Sequence, residues 1–450
     1  MRSRHGFAAA LTAAALLAAA CSNDPSEPAP ADAGTPPAAA ATRVTGPAAG
    51  PTPTAEAGGE TADAGPEPVR VGVIMAAGGR LAPHDGPVLD ALAYAARQVN
   101  SSGGLLGRRL ELLFEDSDSE LNRGYEAALR MVERDVAVIF TSCDPYFNRP
   151  VREVADGAGV LVIAPCGPEP QPTVAAGRAR VFSAGTPAPA YGRALAEYAA
   201  DAGIRSVATL VERDRSEAVT MCDSFGRRFA ELGGSLGFSL SFDRHWIAAQ
   251  PVVGAQATAR ALEGAAQYPA VVICAAVGGR GTQMFELLRS AGVAAEVLAP
   301  AALDGVAWRR GIFGLEPLTV ITEASTFGDD PSSQVNAYFA SIIVGDLRPA
   351  PVGADQDADP GRLAEVEDRV GWAVTGAEAL WIFIRAVQRT ASLDAAVLAA
   401  DIERFDDVDL WMDSASFSPA RHAPGGRALR VIRHDGGASR VVELRIPTAH

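Results

Sequence analysis

The sequence predicts an α/β fold in which two lobes follow one another along the chain, each with its own parallel sheet. Short apolar, β-branched runs alternate with segments whose apolar residues have helical spacing, and this order produces right-handed βαβ units. The alternation starts again after about residue 183. The body of the chain, from Val69 to His450, is also too long for one simple domain.

The predicted first lobe contains four strands with helices between them. Val69–Ile74 is a β-branched run typical of a buried strand, and the helix after it ends at a Gly-Gly pair. The helix after the second strand is expected to bury Tyr125, Leu129 and Val132, with an acidic residue of Glu115–Asp118 as its cap. The other strands of this lobe are Arg109–Phe114, Val136–Phe140 and Val160–Ala164.

The second lobe repeats the alternation, beginning with a helix from Ala188 to Ala202. Its predicted strands are Ser206–Val211, Leu236–Phe242, Ala270–Ala275 and Glu296–Ala299. The last third of the chain differs, because a strand at Leu318–Thr322 is followed by two helices, near Ser333–Val344 and Val370–Thr390. A tight-turn signal then joins a closing antiparallel pair, Leu429–Arg433 and Val441–Leu444.

The N-terminus predicts export. Two arginines precede an apolar run of about 15 residues and a small-residue cleavage site, the pattern of a secretory signal peptide over residues 1–20. Cys21 follows directly and resembles a lipobox cysteine, which becomes an acylated N-terminus, although Ala18 stands where that motif has leucine. Cleavage without acylation would instead release a soluble protein. Residues 21–68 contain no aromatic residue and are expected to form a disordered linker.

Composition excludes several functions. The 39 basic side chains are all arginines, so enzymes that need a Schiff-base or P-loop lysine are excluded. They are outnumbered by 54 acidic side chains, which argues against nucleic acid and against docking on anionic lipid. None of the six histidines has metal-ligand spacing, and we expect neither a metal nor a cofactor.

Four cysteines besides Cys21 suggest disulfides, because their number is even and the chain is exported. Cys143 and Cys166 end neighbouring predicted strands, which brings them within disulfide range; free or separately buried thiols are the alternative. Cys222 and Cys274 would then form the second pair. A catalytic cysteine is disfavoured because no histidine lies in a nearby motif.

Several stretches carry a resemblance to a known family: Val69–Ile74, Gln98–Arg108, Leu110–Asp116, Val160–Pro165, Val181–Ser183, Phe285–Gly292 and Gly371–Arg389. From about residue 69 to its end, the chain resembles the periplasmic binding proteins of the leucine/isoleucine/valine type, the solute receptors of ABC importers. This resemblance implies two Rossmann-like lobes joined by a three-strand hinge. The implied parts are lobe 1 over 69–183, mainly lobe 2 over 184–322, mainly lobe 1 over 323–405, and a hinge with a lobe 2 hairpin over 406–450.

The implied ligand site lies between the lobes, beyond the carboxyl ends of the strands. Ser142 stands where the family uses a hydroxyl to hold a ligand carboxylate, whereas Asp144 beside it would repel one. The loop Pro165–Glu169 lacks the second hydroxyl that the family uses, and Asp304 is the nearest candidate to meet an amino group. The candidate ligand-binding residues are His84, Ser142, Cys143, Asp144, Cys166, Gly167, Glu212, Val277 and Asp304.

Two other features have ordinary structural explanations. Gly278–Gly281 is similar to a phosphate loop, but it lacks the full glycine fingerprint, and a strand-to-helix turn is the favoured interpretation. Trp372 and Trp381 are expected to pack in the core and the hinge rather than to stack on a ligand.

The resemblance implies a solute-binding lipoprotein that captures a small polar metabolite, such as an amino acid or an amide. We expect a monomer that delivers its solute to the permease and ATPase of an ABC importer and catalyses no reaction. An envelope sensor or scaffold with the same fold and a degenerate pocket is the alternative. A hydrolase is disfavoured because the chain has no Gly-x-Ser-x-Gly or His-Glu-x-x-His motif.

Overall fold

The computed structural model of the chain describes residues 66–167, 179–308, 314–344 and 369–448. The signal peptide, Cys21 and nearly all of the linker lie outside the described residues, as does the end of the loop Pro165–Glu169. None of the helices in the described ranges combines the length and the apolar character that crossing a membrane requires.

The first lobe is built on a five-stranded parallel sheet with the strand order β2-β1-β3-β4-β5. Its strands are β1 (Val69–Met75), β2 (Leu110–Asp116), β3 (Val138–Thr141), β4 (Leu161–Ala164) and β5 (Val181–Ser183). The helices between them are α1 (Ala82–Ser101), α2 (Leu121–Glu133) and α3 (Arg149–Gly157). Strands β3, β4 and β5 are short and mostly apolar, and they are buried throughout, as the strands of a parallel sheet covered on both faces are.

The second lobe is built on a seven-stranded sheet with the order β15-β14-β10-β9-β8-β6-β7. Its parallel strands are β6 (Ser206–Glu212), β7 (Ser235–Phe242), β8 (Ala270–Cys274), β9 (Glu296–Pro300) and β10 (Leu318–Thr322). The closing hairpin, β14 (Leu429–Asp435) and β15 (Ala438–Arg445), pairs antiparallel with β10, so this sheet is mixed rather than purely parallel. The helices are α4 (Ala188–Asp201), α5 (Ser216–Glu231), α6 (Arg244–Val253), α7 (Ala255–Leu262) and α8 (Gly281–Ser290).

The chain then returns to the first lobe. The helices involved are α9 (Ser333–Val344), α10 (Thr375–Thr390) and α11 (Ala395–Ile402). Helix α10 packs closely on α1, since a Cβ added at Gly376 would lie 2.0 Å from the Val88 carbonyl oxygen. A small antiparallel sheet that the sequence patterns did not predict is formed by β11 (Val408–Asp409), β12 (Ser414–Ser418) and β13 (Arg421–Gly425). This sheet is fixed to the first lobe by His422, whose ring stacks on Phe182 at 4.1 Å.

In the described part of the chain, three segments connect the lobes: residues 184–187, 323–332 and 426–428. Arg427 ties all three together. Its Nη1 donates to the Ala184 carbonyl oxygen at 2.5 Å and lies 3.7 Å from Glu323 Oε2. Its Nη2 donates to Glu378 Oε1 of α10 at 2.5 Å. Such a buried network holds the hinge in register, because removing one partner would leave an uncompensated buried charge.

Helix α2 contradicts the sequence prediction about its apolar face. Tyr125 is 48% exposed and Leu129 is 42% exposed. The residues that α2 buries are Gly124, Ala127, Ala128 and Met131. Small side chains let the helix approach the sheet and α3 closely, and this close packing outweighs the burial of the larger side chains.

The predicted cap of α2 is also wrong. No side chain caps its N-terminus, and the residue at that position is Glu120. Asp116 Oδ1 instead accepts hydrogen bonds from the backbone N–H groups of Ala77 at 2.9 Å and Asp118 at 2.8 Å. The carboxylate at the end of β2 therefore organises the loop that follows β1.

Both predicted disulfides are present. Cys143 and Cys166 are joined with a Cα–Cα distance of 4.9 Å, and Cys222 and Cys274 with one of 5.6 Å. The first disulfide links the loops after the neighbouring strands β3 and β4, whose adjacency was predicted. The second ties α5 to the end of β8 in the other lobe.

Candidate functional site

A cavity of about 100 Å³ lies between the lobes, where loops from the carboxyl ends of both sheets meet the hinge. Most of its wall is apolar, including Met221, Val277 and Trp372. The ionisable side chains that line it, among the described residues, are His84, Asp144, Tyr191, Arg215, Glu217 and Glu323. The cavity therefore combines an apolar body with a few placed polar groups, as small-molecule sites do.

Six of the predicted ligand-binding residues line this cavity: His84, Cys143, Asp144, Cys166, Gly167 and Val277. The Cys143–Cys166 disulfide forms part of the wall and fixes two loops of the first lobe to each other. Gly167 lies against the first hinge segment, where a Cβ would be 2.5 Å from the Thr186 carbonyl oxygen. Glycine is therefore required at position 167 for this close approach of backbone to backbone.

Ser142 does not line the cavity, because its hydroxyl is used inside the protein. Ser142 Oγ and the Cys143 backbone N–H both donate to Asp85 Oδ1 at 3.0 Å, and the Ala76 N–H donates to Asp85 Oδ2 at 2.8 Å. Asp85 is 1% exposed, and burial raises its pKa to about 6 even though these hydrogen bonds lower it. A carboxylate of the protein thus takes donors of the loops that follow β1 and β3.

His84 stands in the first turn of α1 and touches the opposite lobe. A Cβ added at Gly278, whose φ is +72°, would lie 1.6 Å from His84 Nε2. Burial first, and then the charge of Arg215, lowers the pKa of His84 to about 4, so its ring is neutral at pH 7. The described residues provide no hydrogen-bond partner for its Nδ1.

An ion pair crosses the mouth of the cavity. Asp144 belongs to the first lobe, and its Oδ1 accepts from the backbone N–H groups of Tyr146 at 2.9 Å and Phe147 at 3.3 Å. Its Oδ2 lies 3.6 Å from Nη1 of Arg215, just before α5 in the second lobe. Arg215 Nε is also 3.8 Å from Glu217 Oε2. The Asp144–Arg215 contact therefore joins the two lobes, whereas Arg215 and Glu217 belong to the same lobe.

Glu212 lies under the loop after β8 rather than in the cavity wall. It is fully buried, and it accepts from the N–H groups of Arg280 at 2.9 Å and Ala276 at 3.3 Å and from Arg280 Nη1 at 3.1 Å. Burial raises the pKa of Glu212. A Cβ at Gly279 would lie 2.0 Å from its carboxylate, so Gly278–Gly281 is a strand-to-helix turn built over an acidic side chain.

Asp304 is also outside the cavity wall. Its Oδ2 accepts from Thr322 Oγ1 and from the Gly371 backbone N–H, both at 2.6 Å. Burial raises its pKa to about 6. Asp304 thus joins the segment after β9 to the end of β10 and to the segment that leads into α10, and it supports the hinge.

Sequence reasoning missed Glu323, which lines the cavity and is 2% exposed. Its Oε1 accepts from the Thr186 backbone N–H at 2.8 Å and from the Tyr191 hydroxyl at 3.2 Å. Its Oε2 accepts no hydrogen bond from a described residue. The sequence feature that could have identified Glu323 is its position directly after the strand Leu318–Thr322, at the carboxyl end of the sheet where ligands bind. No group of three or more potential metal ligands occurs in the described ranges.

Comparisons with known proteins agree with this architecture. The family profile described as periplasmic binding protein matches residues 68–438. A Pseudomonas aeruginosa protein named amino acid binding protein is 33% identical over 83 residues, an alignment that spans 18% of this chain and only 22% of that relative.

Solved structures show the same fold at low sequence identity. A leucine binding protein from Thermotoga maritima aligns with a TM-score of 0.63 at 17% identity, covering 84% of this chain and 99% of that one. A Desulfitobacterium hafniense ABC transporter substrate-binding protein in complex with Leu gives 0.64 at 17%, with coverages of 84% and 100%. A solute binding protein from R. palustris in complex with benzoate gives 0.62 at 16%, with coverages of 84% and 97%. With a family profile matched over most of its length and this shared two-lobed fold, the chain belongs to the periplasmic binding protein family.

Proposed function

We propose that this protein is an extracytoplasmic solute-binding lipoprotein that captures a small polar metabolite and delivers it to an ABC importer. The observation that carries the proposal is the cavity of about 100 Å³ enclosed between two lobes and a hinge. A site for one water needs roughly 10–15 Å³ on this scale, so the cavity suits a molecule of about seven to ten non-hydrogen atoms. Amino acids and small amides fall in this range.

Binding in this proposal needs no bond chemistry. A ligand that contacts both lobes binds the closed form more tightly than the open form and shifts the population toward it. The Asp144–Arg215 ion pair and the contact of His84 with Gly278 would form during closure and exclude water from the ligand. The closed form would then be recognised by a permease with its ATPase, and acylated Cys21 would keep the protein, as a monomer, at the membrane.

The test is a thermal unfolding screen of the full chain against amino acids, amides, short peptides and small organic acids. A ligand at a hundred times its dissociation constant adds about 2.7 kcal/mol to the free energy of unfolding. Ala276→Phe places a large ring in the cavity and should abolish any ligand-induced rise in the unfolding temperature. Val252→Phe replaces a side chain that is 88% exposed and should leave that rise unchanged. A ligand that stabilises Ala276→Phe equally would contradict binding in this cavity.

One observation favours the second candidate, an envelope sensor or scaffold. Asp85 occupies donors on a loop that the family uses to hold ligand carboxylates. A panel in which no compound changes the unfolding temperature, together with a genome neighbourhood that lacks permease and ATPase genes, would support this candidate against the receptor.

A further inference from the structure

We propose that the solute carries a protonated amine and no carboxylate, which makes the cavity a site for a small amphipathic amine rather than for an α-amino acid. This inference rests on the proposed function and narrows its ligand class. It is carried by two observations: donors on two loops of the first lobe are already occupied, and a buried carboxylate at the hinge has an oxygen that accepts no hydrogen bond from a described residue.

The occupied donors are the Ala76 N–H, the Ser142 hydroxyl and the Cys143 N–H, which all donate to the carboxylate of Asp85 at 2.8–3.0 Å. Asp85 is 1% exposed and lies in the first turn of α1, so its carboxylate is a fixed part of the protein. A ligand carboxylate at these donors would have to displace Asp85 from three hydrogen bonds. It would also approach a second carboxylate, that of Asp144, which lies in the same loop as Ser142 and Cys143.

The charges around the cavity favour a cation. Among the described lining residues, Asp144, Glu217 and Glu323 are acidic, and Arg215 is basic; three negative charges against one positive charge leave an excess of two negative charges. Arg215 lies 3.6 Å from Asp144 and 3.8 Å from Glu217, so its charge is already matched by the protein. Arg427, which lies near Glu323, leaves this excess of negative charge unchanged, because its positive charge is matched by the buried carboxylate of Glu378.

Glu323 provides the acceptor. Its Oε1 accepts hydrogen bonds from the Thr186 N–H and the Tyr191 hydroxyl. Its Oε2 accepts none from the residues that the structure describes, and it lies 3.7 Å from Arg427 Nη1. Thr186 Oγ1 is also buried without a hydrogen-bond partner among the described residues. A buried polar atom left without a hydrogen bond destabilises the protein. An ammonium group has three N–H donors and no acceptor, which suits these two oxygens.

The rest of the wall suits an apolar body of the ligand. Met221, Val277 and Trp372 line the cavity, and neutral His84 adds a ring without a charge. An amine with a short hydrocarbon chain would therefore place its charge at the hinge and its chain between the lobes.

The test compares leucine with the compounds formed by removing its carboxylate or its amino group, by isothermal titration calorimetry on the full chain at pH 7. The first is 3-methylbutylamine and the second is 4-methylpentanoate. We expect the amine to bind at least tenfold more tightly than leucine and the acid to show no binding. Leucine or the acid binding as tightly as the amine would overturn the amine inference while leaving the receptor function intact. No binding by any of the three, and no response in the wider screen, would overturn both.

The variant that tests the acceptor is Glu323→Gln, which keeps the size of the side chain and removes its charge. Because hydrogen bonds to charged groups are stronger than neutral ones, we expect amine affinity to fall at least tenfold. The matched control is Glu231→Gln, at the exposed end of α5, which should bind the amine as wild type does. Circular dichroism establishes that both variants fold. Unchanged amine affinity in a folded Glu323→Gln variant would overturn the assignment of Glu323.

Discussion

Removing the Cys143–Cys166 disulfide should destabilise the protein and weaken ligand binding together, because this disulfide both closes a loop and forms the cavity wall. The two cysteines are 23 positions apart in sequence. In the chain-entropy treatment, closing a loop of that length restricts the unfolded chain enough to stabilise the fold by about 3 kcal/mol. Replacing both cysteines by alanine should lower the free energy of unfolding by about this amount.

The Cys222–Cys274 disulfide is the matched control. Its cysteines are 52 positions apart, which predicts a larger loss of stability, about 4 kcal/mol, when both become alanine. These cysteines do not line the cavity, and their removal should leave the affinity for ligand within about threefold of wild type. Urea unfolding followed by circular dichroism gives the stabilities, and calorimetry with the ligand found in the screen gives the affinities.

Two results would refute this reasoning. If thiol titration of the unfolded, unreduced chain found more than one free cysteine, the pairs would not be formed, since the chain has five cysteines and four are paired. If the Cys143→Ala/Cys166→Ala variant lost stability but bound ligand as wild type does, the disulfide would have no role in positioning the two loops of the first lobe.

Three further predictions follow from packing, burial and export. Gly376→Ala should destabilise the protein by more than about 2 kcal/mol, because its Cβ would meet the Val88 carbonyl oxygen; Gly86→Ala in α1, with no atom within 4 Å of its Cβ, should be neutral or stabilising in urea unfolding. Asp304 binds its proton more tightly in the folded chain, with a pKa of about 6, so it contributes stability at low pH that is lost as pH rises from about 4 to 6. Asp304→Asn should therefore gain about 3 kcal/mol relative to wild type between pH 4 and 7, and a constant difference would contradict the raised pKa. Cys21→Ala should move the protein from the membrane to the soluble fraction and abolish labelling by radioactive palmitate; a wild type that is already soluble would exclude the anchor.

The order of strands and helices could be predicted from local patterns. Val138–Phe140 and Leu161–Ala164 are short, wholly apolar runs, which are typical of buried parallel strands. That order also brought Cys143 next to Cys166, because consecutive strands of a βαβ unit are neighbours. The prediction of which face of helix α2 is buried was wrong for a local reason. Its largest apolar residues, Tyr125 and Leu129, are exposed, because close packing of small residues decided which face is buried.

The site could be predicted only in part. Residues that directly follow strands of the first lobe, such as Cys143 and Gly167, line the cavity because strand order fixes where those loops end. Ser142, Glu212 and Asp304 occupy equivalent places in sequence, yet each is hydrogen-bonded within the protein. Sequence alone cannot tell a polar side chain that faces a ligand from one that supports the loop next to it, because both follow a strand.

The sequence by itself determined the two-lobed α/β class, the adjacency of the cysteines and the predicted export signal, since each depends on neighbours along the chain. Only the tertiary structure decided the chemistry of the cavity. Asp85 reaches Ser142 across 57 positions, and Arg427 joins segments that are about 240 and about 50 positions away from it. Such contacts depend on how three hinge segments and two sheets come together, and no local pattern records which buried charge meets which partner.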